Sequence, residues 1–179
     1  MCCQVGHTDT ARLLIEGGVD VNAKDKDEGT SLMYASEEGH TDTARLLIES
    51  GADVNARNKD GWTSLMYASI KGHTDTARLL IESGADVNSK DNYGRTSLMY
   101  ASEGGHTDTV RLRIESGADV NARNKDGWIS LMCACQGGHT DTFRHPCNTH
   151  VVTSMLHYHN KNNMVPLNRP SSVSKRPTI

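Results

Sequence analysis

The chain has 179 residues and a formal net charge of −3, so it carries no excess of basic residues that would favour a nucleic acid or an acidic membrane surface. No stretch approaches the roughly 18 consecutive apolar residues of a membrane helix. The first ten residues, MCCQVGHTDT, lack the basic flank and apolar centre of a secretory signal. We therefore expect a cytoplasmic protein that binds neither nucleic acid nor membrane.

A repeated pentapeptide, GHTDT, sets the organisation of the chain. Its five copies open at Gly6, Gly39, Gly72, Gly105 and Gly138, which are 33 residues apart. A unit of this length with two short helices and a turn cannot bury its apolar face alone, so the copies must stack into a one-dimensional array. Binding by such arrays uses an open surface rather than an enclosed pocket.

Alignment on the pentapeptide divides the chain into units. The units are partial at residues 1–23 and 123–145, and full at residues 24–56, 57–89 and 90–122. Residues 146–179 have no period, contain few apolar side chains and are rich in Asn, His, Ser and Pro. Because such a segment cannot bury enough apolar surface to fold, we predict a disordered tail there.

Each full unit contains the signals of a turn and two helices, as residues 57–89 illustrate. The letters RNKDGW are typical of a turn, and Thr63 then caps a first helix that Gly72 ends. Thr74 begins a second helix, followed by an acidic residue that suits the positive helix end, and Gly84 ends it. Apolar residues three and four positions apart give each helix one buried face.

The segment GWTSLMYASIKGHTDTARLLIESGADVNSKD resembles an ankyrin repeat, whose pattern runs turn, TPLH helix, GH, a leucine-rich helix and GADVN. The match extends over residues 1–144, although Ser and Met replace the family's Pro and His in TPLH. The resemblance implies an all-α solenoid of stacked helix pairs with projecting turns. It also implies a non-enzymatic protein that binds another protein, and we expect a monomer without a cofactor.

Four positions depart from the pattern. Glu28 stands where other units have glycine, which should reshape the first full turn, and Ile129 replaces a capping threonine at a cost of about 1 kcal/mol. Arg113 and Pro146 occupy a leucine column of the second helix. We expect the arginine to reach solvent or lie at the end of the stack, because a buried unpaired charge is costly. The proline breaks its helix. Ordered packing is therefore predicted to fade after about Asn121.

The candidate partner-binding residues lie in columns that differ between otherwise near-identical units. In ankyrin-like geometry the turn and the end of the first helix face outward, and exposed aromatic and arginine side chains supply large contact areas. An alternative is that the tryptophans only cover the adjacent turn. The candidates are Lys59, Trp62, Ile70, Lys71, Tyr93, Arg95 and Trp128.

Histidine and asparagine recur once in each unit. The histidines of GHTDT are predicted to bond backbone rather than to act as bases, because no nucleophile, base and orienting group occur together. The asparagines of DVN match the residue that cellular hydroxylases modify in ankyrin repeats, but a hydrogen bond to loop backbone is the preferred interpretation. These asparagines are Asn22, Asn55, Asn88 and Asn121.

Two alternatives to a binding scaffold remain open. Cysteine and histidine residues between Cys133 and His159 form one hypothetical metal-binding module, although Cys133 and Cys135 diverge on a helix. The incomplete first and last units favour instead a fragment of a longer ankyrin-repeat protein without independent function. No disulfide framework is predicted, because all cysteines lie near the two ends, at Cys2, Cys3, Cys133, Cys135 and Cys147.

Overall fold

The computed structural model describes residues 8–138, which all belong to one compact unit. Eight α-helices and no β-strand occur in this range, which confirms the all-α class. The helices are α1 (Thr8–Glu16), α2 (Ser31–Glu37), α3 (Thr41–Glu49), α4 (Ser64–Lys71), α5 (Thr74–Glu82), α6 (Ser97–Glu103), α7 (Thr107–Glu115) and α8 (Ser130–Gln136). The predicted tail, residues 146–179, lies outside the described residues.

The helices form two rows. In the first row α2, α4, α6 and α8 pack in sequence, and in the second row α1, α3, α5 and α7 do the same. The rows are joined by helix pairs, α2 with α3, α4 with α5 and α6 with α7. Each unit thus contacts its immediate neighbours, as the 33-residue period predicts for a stacked array.

The helix ends follow from capping chemistry. Thr30 and Thr96 take extended backbone and accept hydrogen bonds from the backbone amides of Met33 and Met99, both at 3.4 Å. Gly72 ends α4 in the left-handed region, at φ 75°. Thr63 stands at the start of α4 with the same extended backbone, but it makes no side-chain capping bond, so the cap predicted there is absent although the start and end of α4 are as predicted.

Small and branched apolar residues fill the space between the rows. Leu32, Leu65 and Leu98 occupy one column of the first helices and are at most 2% exposed. The methionines that replace the family's histidine, at Met33 and Met66 among others, are buried too. Each such side chain contributes about 1.5 to 3 kcal/mol by leaving water, so the apolar columns account for much of the stability of the stack.

Histidine side chains join successive units through backbone. The Nε2 atom of His73 lies 3.0 Å from the carbonyl oxygen of Glu37, and that of His106 lies 2.9 Å from the carbonyl oxygen of Ile70. Both carbonyls belong to the first helix of the preceding unit. The prediction that these histidines bond loop backbone is correct as to backbone at the two positions, but wrong as to the loop, because both acceptors lie in helices.

Asparagine and threonine side chains repeat the same kind of link at the first three unit junctions. Asn55 donates from Nδ2 to the carbonyl oxygen of Gly84 at 3.0 Å and accepts from the amide of Asp86 at 2.9 Å. Asn22 and Asn88 make the equivalent pair of bonds, which supports the backbone-bonding interpretation. Hydroxyl pairs at 2.8 Å join the second-row helices at Thr8 and Thr43, Thr41 and Thr76, and Thr74 and Thr109.

Glu28 does not reshape its turn. It takes the left-handed region itself, at φ 62°, close to the φ of 79° at Gly61 one unit later. Asp25 Oδ1 accepts from the amides of Asp27 and Gly29 at 2.8 and 2.7 Å, as the first turn residue does in the later units. The expectation of a different turn is wrong, because Glu28 adopts the left-handed backbone that glycine has in the other units.

Ordered packing does not fade after Asn121. Helix α8 follows and packs against α6, with Cys133 at 3% and Ala134 at 0% exposure. The expectation failed because a first-row helix needs only its first-row neighbour and its own turn for burial. The missing threonine cap at Ile129 is compatible with helix formation. Pro146 lies outside the described residues.

Arg113 does not reach solvent. Its side chain is 0% exposed within an intact α7, and Nη2 donates to Ser69 Oγ at 2.9 Å. Nε and Nη1 have no hydrogen-bond partner among the described residues. Burial lowers the pKa of Arg113 to about 9, so the guanidinium still carries its charge at neutral pH. The expectation was wrong because the side chain turns back toward the preceding unit, where it reaches Ser69 of α4 instead of water.

Candidate partner-binding surface

Tyrosines on the first helices hold the turns in place. Tyr34 Oη donates to Asp25 Oδ2, and Tyr100 Oη donates to Asp91 Oδ2, each at 2.5 Å. Tyr67 accepts a corresponding bond from a turn side chain. The bond from Tyr34 lowers the pKa of Asp25, while burial together with the Asp91 bond raises the pKa of Tyr100. The turns therefore present a fixed rather than a loose surface beside the first helices.

Two of the predicted binding residues meet around a tyrosine that the sequence did not single out. The Trp62 ring lies 5.0 Å from the Tyr67 ring and 4.4 Å from the Tyr100 ring, both in tilted geometry. The Arg95 guanidinium lies over the Tyr100 ring, 4.2 Å from the ring centre, and also pairs with Glu103. Aromatic and cation–π contacts of this kind each contribute on the order of 1 kcal/mol. Trp62 and Arg95 are thus partly buried in a rigid cluster.

Three other predicted residues are well exposed. Tyr93 is 62% exposed in the turn that also carries Arg95. Lys59 Nζ lies 3.8 Å from Asp27, and Lys71 Nζ lies 3.7 Å from Glu37, both across a unit junction. Because exposed ion pairs contribute only about 0 to 1 kcal/mol, these lysines are free to exchange their partners.

The remaining two predicted residues are half-buried. Trp128 packs against Met99, Ala122 and Cys133, so part of its ring serves the core of the last described units. Ile70 lies near the end of α4. Trp128 therefore contacts its own unit and the preceding one, and the choice between partner contact and covering only the adjacent turn is untested.

A hollow of about 240 Å³ was not predicted. Its lining includes Asp27 and Glu37, the carboxylates that pair with Lys59 and Lys71. Variation between units pointed away from it, because its tyrosines occupy a column that is identical in the three full units. The alternation of Asp and Asn at the start of each turn was the available signal. Its chemistry is acidic and aromatic, from Asp25, Asp27, Glu37, Asp60, Tyr34 and Tyr67.

The repeated units of this chain match a known protein family. A family model described as ankyrin repeats in three copies matches residues 1–91, 47–124, 84–147 and 98–167. The chain belongs to the ankyrin-repeat family. No curated protein matches it. Ankyrin repeats are generally protein–protein interaction modules, and the family is typically non-enzymatic.

Two other features considered for the described residues are a metal site and a membrane-spanning helix. Between residues 8 and 138, no group of three His, Cys, Asp or Glu side chains could hold a metal ion. Cys133 is buried whereas Cys135 is exposed, so the two thiols diverge as their spacing indicates. The other members of the hypothetical Cys/His module lie outside the described residues. No helix in the described range is long and apolar enough to cross a membrane.

Proposed function

We propose that this ankyrin-repeat protein binds another protein through its turn tips and first helices and performs no catalysis. The observation that carries the proposal is Tyr93, whose side chain is 62% exposed on a turn held by buried hydrogen bonds. A large aromatic ring on a rigid support loses little conformational entropy on binding. The proposed contact residues are Lys59, Trp62, Ile70, Lys71, Tyr93, Arg95 and Trp128.

The charges around the hollow support a partner with both acidic and basic side chains. Lys59 and Lys71 pair with Asp27 and Glu37, and these two carboxylates also line the hollow. A partner can replace the weak pairs with its own, offering a carboxylate to each lysine and a cation to the hollow. Such complementarity contributes to specificity and association rate more than to affinity.

A pull-down with the full 179-residue chain from its native source, followed by titration of the captured protein, tests the proposal. Tyr93→Ala should weaken binding by roughly tenfold or more. Arg78→Ala is the matched control, since Arg78 is exposed on α5 in the second row. Circular dichroism should show equal helicity in both variants. Unchanged affinity for Tyr93→Ala would remove Tyr93 from the contact surface and with it the main support for the proposal.

We further propose that the protein acts in the cytoplasm. Cys133 is a free thiol whose pKa is raised by burial, so it stays protonated and unreactive. Unpaired thiols of this kind suit a reducing compartment. Fractionation of cells that express the protein tests the location, and recovery from the culture medium would contradict it.

A further inference from the structure

The two ends of the described stack expose opposite halves of one helix pair. Helix α1 lies in the second row, and within residues 8–138 no first-row helix forms a pair with it. Helix α8 lies in the first row, and no described second-row helix forms a pair with it. Every helix between them has its partner, so the pairing is left open only at the two ends of the described range.

At the amino-terminal end, identical sequences have different exposure. Helices α1 and α3 both read TDTARLLIE. Leu13 and Leu14 of α1 are 69% and 55% exposed, whereas Leu46 and Leu47 at the same positions of α3 are 7% and 5% exposed. Since the sequences are the same, the difference arises because α1 packs before α3, whereas no described helix packs before α1. An apolar groove of about 340 Å³ follows this face and includes Leu14.

At the carboxy-terminal end, α8 exposes columns that are buried elsewhere. Cys135 is exposed, although Ser69 and Ser102 in the same column are 0% and 3% exposed. Leu131 is half-buried, whereas Leu98 one unit earlier is 2% exposed. This face of α8 is therefore exposed where the other first helices are covered by neighbouring helices.

The continuation of the chain is a poor match for that second helix. Residues 140–148 read TDTFRHPCN where α1 reads TDTARLLIE, so Pro146 stands in the column of Leu14. Proline removes an amide and clashes with the preceding turn inside a helix. The α1 sequence, in contrast, is the one that already pairs with first helices at α3 and α5.

The residue types that link successive units through polar bonds recur at the same two ends. Thr107 in α7 and Thr10 in α1 are both exposed, and they are the outer members of the series of threonine pairs. Asn121 is exposed at the position from which Asn88 bonds Gly117 one unit on. A second copy would present Gly18, which has the same place in the first unit, to this asparagine.

We propose that α1 of one copy docks against α7 and α8 of another copy and completes an ankyrin unit between two chains. The contact joins unlike surfaces, so it leaves a free end on each partner and repeats head to tail. It replaces the monomer expected from the sequence. It uses the end faces rather than the turn tips, so it is independent of the proposed partner-binding surface.

Light scattering after size-exclusion chromatography of the full chain, over a range of concentrations and in reducing buffer, tests the contact. The average mass of the wild type should rise with concentration. Leu13→Arg blocks only the α1 end, since leucine fills this column in every described second-row helix, and Cys135→Arg blocks only the α8 end; both replaced side chains are exposed. Each variant alone should therefore stay monomeric. Arg45→Glu, exposed on α3 in mid-stack, is the control and should associate like the wild type.

The equimolar mixture of the two blocked variants gives the decisive result. Leu13→Arg keeps a functional α8 end and Cys135→Arg keeps a functional α1 end, so the mixture should form a one-to-one dimer and nothing larger. A wild type that stays monomeric up to its solubility limit overturns the proposal. So does a mixture that stays monomeric, or a single variant that associates like the wild type. Equal circular dichroism spectra ensure that the variants are folded.

Discussion

Replacement of Arg113 by leucine should stabilise the protein. The guanidinium is fully buried and donates one described hydrogen bond, from Nη2 to Ser69 Oγ at 2.9 Å. Leu47 and Leu80, in the same column, are 5% and 0% exposed, so the space accepts leucine. Ser69 keeps a bond after the substitution, because its hydroxyl already donates to a carbonyl oxygen in α4.

The expected gain follows from the lowered pKa. The fall in the pKa of Arg113 from its ordinary value to about 9 corresponds to about 5 kcal/mol against the charged form. The charge-assisted bond to Ser69 offsets about 2 kcal/mol of this penalty. Arg113→Leu should therefore raise the free energy of unfolding by about 3 kcal/mol, within the range for replacement of buried charges by apolar residues.

Urea unfolding followed by circular dichroism measures this gain. Thermal unfolding should shift upward by about 9 °C if the described units unfold together. Arg111→Leu, exposed on the same helix, is the control and should change stability by less than about 0.5 kcal/mol. An unchanged or lower free energy of unfolding for Arg113→Leu would show that the buried contacts of the guanidinium outweigh its desolvation.

The pH dependence gives a second measure of the same effect. Folded Arg113 loses its proton near pH 9, whereas the unfolded chain keeps this proton to a considerably higher pH, so above pH 9 the unfolded state binds more protons. The penalty is complete at pH 7 and declines as the pH rises through 9. The stability difference between Arg113→Leu and the wild type should narrow by about 1.4 kcal/mol between pH 7 and pH 10.

Two further substitutions test local features of the turns and caps. Glu28→Gly should stabilise by about 1 kcal/mol, because glycine adopts the left-handed backbone without strain. Lys24→Ala, which removes the same exposed ion pair but leaves that backbone unchanged, is its control and should have little effect in urea unfolding. Ile129→Thr should add about 1 kcal/mol by capping α8. Ile129→Val lacks the hydroxyl, so equal stability of the two variants at position 129 would argue against a cap.

The stack and its helix ends were predictable because every unit solves the same packing problem with nearly the same letters. A glycine or threonine at a fixed place in a 33-residue period has the same backbone role each time. The fate of Arg113 was not predictable in this way. Whether a charge in a leucine column reaches water depends on the direction that its side chain takes, and Arg113 turns toward Ser69 of the preceding unit.

The candidate surface was predictable only in part. Variation between units identified Trp62 and Arg95, but it passed over Tyr100, which lies between them, because that column holds tyrosine in all three full units. Exposure at the ends was equally invisible, since Leu14 and Leu47 stand in identical sequences. The exposure of such positions depends on the neighbouring units rather than on the residue type.

The junction bonds of threonine and asparagine recur with a constant offset along the chain, 35 residues for the hydroxyl pairs and 29 for the bonds to glycine carbonyls. An in-frame gain or loss of one whole unit would therefore preserve these threonine and asparagine bonds at the new junction. A change of any other length would put threonine opposite an unsuitable side chain. The coding sequence can thus vary in steps of 33 codons without redesign of the joints, and array length is a quantity that recombination between copies can adjust.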